Sequence, residues 1–240
     1  MNSIAAIFKK EFSSYFLSPI AYVFIIVFLI GTNFMYFQPF FLINQADMRN
    51  YFGLLPWVFL FFVPAITMRS WAEEKKSKTI ELLLTWPISD TQVVLGKFFA
   101  SLAFLGTAIL LSITIPVTLF IIGNPDSGPI IGGYVGALLM GAAYLSIGLW
   151  ISSHTENQIV AFILAWVVTF VLMIIGHPMV TMKLPALFVP LFTYFGLFTH
   201  FESIERGVID SRDVIYYLSI TGFFLFLNVQ SLGSRSRSGS

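Results

Sequence analysis

Few side chains in this sequence could take part in chemistry, and the three histidines are the first to consider. His154, His177 and His200 stand apart in the chain, and neither the HExxH pattern of metalloproteases nor the GxSxG pattern of serine hydrolases occurs. The absence of cysteine excludes disulfides, cysteine zinc sites and thiol catalysis. We therefore expect no catalytic residue, no metal site and no enzymatic activity in this chain.

The sequence also lacks a loop that could hold nucleotide phosphates. No GxxxxGK[ST] pattern is present, and that pattern supplies the backbone amides and the lysine that bind phosphates. If ATP drives this protein, a separate polypeptide must bind it together with Mg²⁺, and we expect this chain to bind no cofactor. The net charge of +1 gives no indication of nucleic acid binding, and we expect none.

Charged residues are concentrated in one segment, residues 69–97, which lies between two apolar runs. Within it, residues 79–85 (TIELLLT) have the pattern of a short helix that Pro87 ends, because proline cannot continue a helix. This helix is too short to cross a membrane. Its apolar side must bury against the membrane surface, the rest of the protein or a soluble partner protein. That side consists of Ile80, Leu83 and Leu84.

The composition is typical of a membrane protein. Globular proteins are about one-quarter charged, whereas this chain is 10% charged and 57% hydrophobic. A bilayer core of about 30 Å needs roughly 20 apolar residues for each helical span. We predict one all-α membrane domain over residues 1–240, with residues 69–97 as a loop. Its six transmembrane helices are expected at about 19–37, 51–68, 98–122, 130–151, 159–176 and 213–229.

Two segments outside these spans are also expected to contact the membrane. Residues 4–16 place apolar side chains on one face and Lys9 and Lys10 on the other, which predicts an N-terminal helix lying in the interface. Residues 184–207 are largely apolar but are interrupted three times, which predicts a re-entrant pair of half-helices rather than a further span. The interruptions are Pro185, Pro190 and Gly196.

Local signals predict where some helices begin and bend. Ser89 with Gln92, and Thr155 with Gln158, have the spacing of a capping box, in which each side chain binds the other residue's backbone amide. Pro116 lies inside the third span and predicts a bend there, because its ring clashes with the carbonyl of the residue four positions earlier.

The distribution of lysine and arginine predicts the orientation. With six spans, nine of these residues fall on the side of the charged loop and four on the other side. The nine are Lys9, Lys10, Arg69, Lys75, Lys76, Lys78, Lys97, Arg235 and Arg237, and the four are Arg49, Lys183, Arg206 and Arg212. Because the cytoplasmic side carries the excess of positive charge, we expect an inner-membrane protein with both termini in the cytoplasm and the re-entrant segment outside.

A few polar and small residues in or near the spans have candidate roles. Glu202 and Arg206 are four residues apart and could gate an outer opening, or form an ordinary exposed ion pair. Asn33 and Asn228 could line a pathway or form hydrogen bonds between helices. Small residues in the fourth span predict close helix packing. The glycines expected to permit it are Gly132, Gly136 and Gly141.

The charged loop resembles a known family. Residues 73–89 read EEKKSKTIELLLTWPIS and are similar to EEKRSGTIELLLTLPIS of the six-span permeases of ABC-2 type transporters. The likeness extends to residues 155–158 (TENQ) and to residues 200–210 before the last span. The chain resembles in particular the gliding-motility-associated permease and its relatives in nitrous oxide reductase maturation. One difference is Lys78, which stands where the family usually has glycine.

The resemblance implies a function and a set of partners. Two permease subunits would pair, each seated on a cytoplasmic ATPase subunit through a coupling helix in this loop, and ATP binding would rock the spans. The chain would then be the permease subunit of a transporter, usually an exporter. Apolar loop residues would fill a groove on the ATPase, and acidic residues would set the orientation at its rim. The residues concerned are Glu73, Glu74, Thr79, Ile80, Glu81, Leu83, Leu84 and Pro87.

Two other functions stay open on the sequence alone. The chain could be a membrane anchor that uses its ATPase to move or assemble an envelope or gliding machine and passes no substrate. It could also be an ATP-independent carrier or channel. The second alternative is disfavoured because the spans have no clearly central charge, and ion-coupled carriers usually depend on ionisable residues within the membrane.

Overall fold

The computed structural model describes residues 3–43, 47–80 and 88–238, with side chains described for 3–40, 47–80 and 88–233. Within these ranges the chain forms helices and no strand. In chain order the helices are α1 (Ser3–Leu17), α2 (Pro19–Ile43), α3 (Arg49–Thr67), α4 (Ala72–Lys76), α5 (Asp90–Leu111), α6 (Thr114–Ile122), α7 (Ser127–Ser152), α8 (Gln158–Ile174), α9 (Pro178–Thr181), α10 (Val189–Phe195), α11 (Leu197–Glu205) and α12 (Ser211–Ser238).

The prediction of an all-helical membrane protein is confirmed. Five helical segments in the described residues are long and apolar enough to cross a bilayer, namely Pro19–Phe40, Arg49–Lys76, Asp90–Ile122, Ser127–Ser152 and Ser211–Gly233. The fifth predicted span, residues 159–176, coincides with α8, an apolar helix of 17 residues that is shorter than the other five. The count of six spans therefore stays a prediction, as does the re-entrant character of the segment that contains α10 and α11.

Helix α7 lies at the centre of the bundle, in contact with α3, α5, α8, α11 and α12. Its small residues permit these contacts. A Cβ atom built on Gly136 would lie 2.7 Å from Ile204 of α11, and one on Gly141 would lie 2.4 Å from Leu105 of α5. At Gly132 the nearest atom is the backbone oxygen of Ile204, at 3.1 Å. Helices α5 and α11 therefore approach α7 closely at these positions, and the packing role of the three glycines stays a prediction.

Helix α1 packs beside the first turns of α5 and runs in the same direction. Ile7 lies against Gly96, where an added Cβ would come within 2.6 Å of it. Further along, the Tyr15 hydroxyl forms a hydrogen bond of 3.0 Å with Ser101, and its ring stacks on Phe104 at 4.8 Å. The N-terminal helix is thus attached to the start of the third predicted span by a continuous line of contacts.

The third predicted span is divided into α5 and α6. The break falls at Ser112 and Ile113, and Ser112 is four residues before Pro116. The proline ring displaces the carbonyl of that residue from helical geometry, and the Ser112 carbonyl accepts instead from the Ile115 amide at 2.9 Å. The position of the break follows from the proline, although the break lies one turn before it.

The two predicted capping boxes have different outcomes. Ser89 caps α5, and both of its reciprocal bonds with Gln92 are present, at 3.4 Å and 3.3 Å. The prediction at Thr155 was wrong. A cap at Thr155 would start the helix at Glu156, but α8 starts at Gln158 and its cap is Asn157. The Asn157 side chain accepts from Ile159 at 2.9 Å, whereas Thr155 accepts only from the Asn157 amide.

Close packing of α7 against α3 predicts that one methyl group added near the C-terminal end of α7 lowers the stability of the protein. A Cβ on Gly148 would lie 2.2 Å from Oγ1 and 2.9 Å from Cβ of Thr67, which is fully buried on α3. We expect Gly148→Ala to lower the free energy of unfolding by about 1–3 kcal/mol through overpacking. Gly222→Ala is the matched control, because nothing lies within 4 Å of that position. Thermal unfolding in detergent measures both, and equal stability of the two variants would contradict this packing.

Candidate functional site

The charged end of the bundle is organised around the ammonium group of Lys97 on α5. Its side chain is 2% exposed, in a helix that is largely apolar. The ammonium donates to Glu11 of α1 at 3.0 Å and to Glu74 of α4 at 2.7 Å, and also to the Ser70 carbonyl at 3.1 Å. It lies 4.9 Å from the centre of the Trp71 ring, close enough for a cation–π interaction. One buried cation therefore joins α1, the loop and α5.

A second set of bonds joins the loop to the end of α7. The Ser152 hydroxyl accepts from the backbone amides of Trp71 and Ala72, at 3.2 Å and 3.3 Å, and donates to the Met68 carbonyl at 3.2 Å. The buried Lys75 ammonium donates to the carbonyl of Ser153. The segment that follows α3 is thus fixed to α7 as well as to α1 and α5.

The residues proposed to contact an ATPase fall into three groups. Glu73 and Thr79 are exposed, and Glu73 pairs with Arg69 at 3.0 Å. Glu74 and Ile80 point inward: Glu74 binds Lys97, and Ile80 is 9% exposed in the hydrophobic core. The remaining predicted residues lie outside the described part of the chain. They are Glu81, Leu83, Leu84 and Pro87.

Lys78 adopts a backbone conformation that usually requires glycine. Its φ is +56°, in the left-handed region that side chains with a Cβ rarely adopt. The residue directly follows α4 and Ser77 and reverses the chain before Thr79 and Ile80, which are again helical. The glycine that the family usually has here therefore fits the local geometry, and lysine keeps the turn at an energetic cost.

At the opposite end of the bundle, Glu202 and Arg206 form a pair of 2.7 Å between side chains that are 44% and 59% exposed. Such an exposed pair contributes at most about 1 kcal/mol. A more buried cluster lies beside it and was missed by the sequence analysis. Asp213 at the start of α12 accepts from the Ser203 hydroxyl and lies 2.7 Å from Nδ1 of His200. These contacts attach α11 to α12.

The His200 ring is held on several sides. Its Nε2 lies 2.9 Å from the carbonyl of Tyr194 in α10, and the ring stacks on Tyr216 of α12 at 3.8 Å. The Tyr216 hydroxyl donates to the carbonyl of Phe195 at 2.7 Å. Because the partners are distant in sequence and of mixed types, no regular spacing would have revealed this cluster.

Glu205 differs from the other carboxylates of this end. It is half-buried, it faces Gly53 of α3, and its Oε2 has no hydrogen-bond partner among the described residues. Burial, reinforced by the neighbouring Glu202 carboxylate, raises the pKa of Glu205 to about 7. No group of three histidine, aspartate or glutamate side chains within the described ranges is arranged to hold a metal ion.

The class of this protein follows from its helices, and its family follows from a match to a family model. A helical bundle with several helices long and apolar enough to span a bilayer is an integral multi-pass membrane protein. The family model for ABC-2 family transporter protein matches residues 5–232, nearly the whole chain. The chain therefore belongs to the ABC-2 transporter family, as a permease subunit of an ABC transporter, and this membership implies an ABC ATPase as partner. No curated protein matches the sequence.

The Lys97 cluster predicts a large loss of stability when the cation is removed. Lys97→Met leaves the Glu11 and Glu74 carboxylates without a counter-charge in a poorly hydrated site, and we expect a loss of about 3–5 kcal/mol in the free energy of unfolding. Adding Glu11→Gln and Glu74→Gln should restore part of it. Arg69→Met is the control, because that exposed pair contributes at most about 1 kcal/mol. Equal effects of Lys97→Met and Arg69→Met would show that the cluster is not buried.

The conformation of Lys78 predicts that glycine stabilises the loop. Lys78→Gly removes the steric cost of the left-handed region, and we expect the free energy of unfolding to rise by about 1 kcal/mol. Lys76→Gly is the matched control: Lys76 is equally exposed but lies in α4, where glycine costs about 1 kcal/mol. Chemical unfolding of the two variants should therefore give changes of opposite sign, and a destabilised Lys78→Gly would contradict the assigned φ.

The raised pKa of Glu205 predicts a pH-dependent stability. Because its pKa is near 7 in the folded chain and lower when unfolded, the folded chain binds the proton more tightly, and stability should increase as the pH falls from 8 to 5. Glu205→Gln should raise the melting temperature at pH 8 and flatten this part of the pH profile. Glu156→Gln, an exposed residue of the α7–α8 loop, should leave the profile unchanged. An unaltered profile in Glu205→Gln would refute the assignment.

Proposed function

We propose that residues 69–97 are the coupling element through which a separate ATPase subunit drives the helices of this permease. The observation that supports this most is the attachment of the loop to α1, α5 and α7 through Lys97 and Ser152. A loop bonded to three helices can displace them together, which a freely hinged loop could not. Because the sequence has no GxxxxGK[ST] pattern, we assign the binding of ATP to the partner.

The surface available to the ATPase follows from which loop side chains are directed outward. Glu73, Lys76, Lys78 and Thr79 are exposed, whereas Lys75 and Ile80 are buried in the chain itself and Glu74 is half-buried against Lys97. We propose that the exposed group forms the polar rim of the contact. The apolar centre of the contact is assigned to Leu83 and Leu84, which are apolar at a position where nothing requires them to cross a membrane.

The rest of the proposal follows the sequence resemblance and the distribution of charge. Two permease subunits pair in the inner membrane, with both termini and the charged loop in the cytoplasm, and ATP hydrolysis by the partner moves a substrate outward. The gliding-motility and nitrous-oxide-reductase-maturation permeases are the proposed subgroup, on the likeness of residues 73–89 to their loop.

Coupling is tested by one substitution in the reconstituted complex. We expect Leu83→Asp to abolish the co-purification of the ATPase, or to leave its basal activity without stimulation by this subunit, because a charge is placed at the centre of an apolar contact. Membrane insertion of the subunit should be unchanged. Ser89→Asp adds the same charge in the same loop and should retain the ATPase, since aspartate caps a helix as well as serine does.

The outcomes separate the alternatives. A Leu83→Asp variant that retains a fully stimulated ATPase would refute the coupling assignment. Stimulated ATP hydrolysis without passage of any substrate into sealed vesicles would favour the membrane anchor. A native preparation that never contains an ATPase would favour the ATP-independent carrier.

A further inference from the structure

A cavity of about 820 Å³ lies at the charged end, between α1, the start of α2, the end of α3 and α5. This volume is within the range of sites that bind small molecules. The cavity meets the exposed loop surface proposed to contact the ATPase only at Glu73 and Thr79, which line its edge. Nothing in the proposed function uses its interior.

One half of the cavity is apolar and is built from helices long enough to span a bilayer. Ala21 and Phe24 come from the first turns of α2, Ile66 from the end of α3, and Phe104 from α5. Beside this wall, α2 exposes Ile20, 47% accessible, and Val23, 57% accessible, to its surroundings. This half is therefore continuous with the part of the bundle surface that contacts hydrocarbon, and an acyl chain fits its chemistry.

The other half contains charges of both signs in equal number. Its cations are Lys10, Arg69 and Lys97, and its carboxylates are Glu11, Glu73 and Glu74. A wall of zero net charge does not favour an anionic ligand over a neutral one. It does provide separate positions for a negative and a positive group on the same ligand.

Some of these groups retain unused hydrogen-bonding capacity. Lys97 is fully engaged by its three acceptors, but Arg69 binds Glu73 through Nε and Nη2, and its Nη1 has no partner among the residues that the structure describes. Lys10 forms no ion pair within the described part of the chain. Oε2 of Glu74 is an acceptor without a donor among the described residues. Donors suited to a phosphate and an acceptor suited to an ammonium are thus present together.

We propose that this cavity binds one phospholipid of the leaflet at the charged end, and that the lipid carries a primary ammonium in its headgroup, as phosphatidylethanolamine does. Its phosphate contacts Lys10 and Nη1 of Arg69, and its ammonium donates to the glutamates of α4. One acyl chain lies along Ala21 and Phe24. The bound lipid fills the space between α1 and α2 and so supports the contact of α1 with α5.

The test uses the full chain in nanodiscs that contain equal amounts of dioleoyl phosphatidylethanolamine, phosphatidylcholine and phosphatidylglycerol, followed by native mass spectrometry of the lipids retained. We expect one phosphatidylethanolamine to be retained in preference to the other two. Lys10→Ala should lower its affinity roughly tenfold, the value of one charge-assisted hydrogen bond. Lys9→Ala is the matched control, because Lys9 is exposed on the same helix but outside the cavity.

A second pair of variants tests the apolar half. Ala21→Trp should fill it and expel the lipid, whereas Val23→Trp, on the outward face of α2, should not. If Ala21→Trp fails to fold by circular dichroism, the Lys10 and Lys9 pair decides alone.

Three results would overturn the proposal. Equal retention of phosphatidylcholine, which has no N–H donor, would exclude the ammonium contact. Preference for phosphatidylglycerol would show that the wall acts as a cationic site. Retention unchanged in Lys10→Ala would place the lipid elsewhere on the bundle.

Discussion

The charged end of this permease depends on one buried ammonium group. An ion removed from water carries a large desolvation cost, and it is tolerated only where carboxylates and carbonyl groups replace the lost hydration. For Lys97 these groups come from Glu11, Glu74 and Ser70, which belong to different parts of the chain. The N-terminal helix, the loop and α5 must therefore assemble together, because none of them can satisfy the cation alone. Cooperative assembly of the site follows from electrostatics rather than from hydrophobic packing.

The two ends of the bundle treat carboxylates differently. At the charged end, Glu11 and Glu74 are paired with a cation that cannot leave its site. At the opposite end, Glu205 is half-buried with one oxygen unpartnered among the described residues, and its charge is destabilised by burial. The first arrangement joins α1, the loop and α5 through direct ion pairs. The second allows the protonation state to change near neutral pH, on the same helix that contacts α3 and α7.

Hydropathy and local chemistry predicted much of this fold, because they act within single elements. The helices that coincide with five of the predicted spans, and the cap at Ser89, are consequences of residues adjacent in sequence. The site could not be predicted in the same way. Lys97 and Glu11 are 86 residues apart, and no periodic pattern links them. The inward direction of Ile80 likewise depends on tertiary packing, since its place in an apolar stripe suits a partner contact equally well.

Competition between two nearby capping residues explains the wrong prediction at Thr155. Thr155 has the spacing of a capping box, but Asn157 is closer to the first turn of α8 and its side chain reaches two amides of that turn. At residue 78 the resemblance indicated only that lysine stands where the similar loop sequence has glycine. The positive φ gives the physical reason for that glycine, and it shows that the turn persists without it.

The division of the third span has a mechanical consequence. Helix α5 has 22 residues and is about 33 Å long, and Lys97, two turns after its start at Asp90, bonds it to the loop. Under the proposed coupling, a displacement of the loop acts on this helix as far as Ser112, where the regular helical hydrogen bonding is interrupted. Beyond that point α6 is a separate, shorter helix. The break at Ser112 is therefore the point at which, under the proposed coupling, a displacement carried by α5 can change direction.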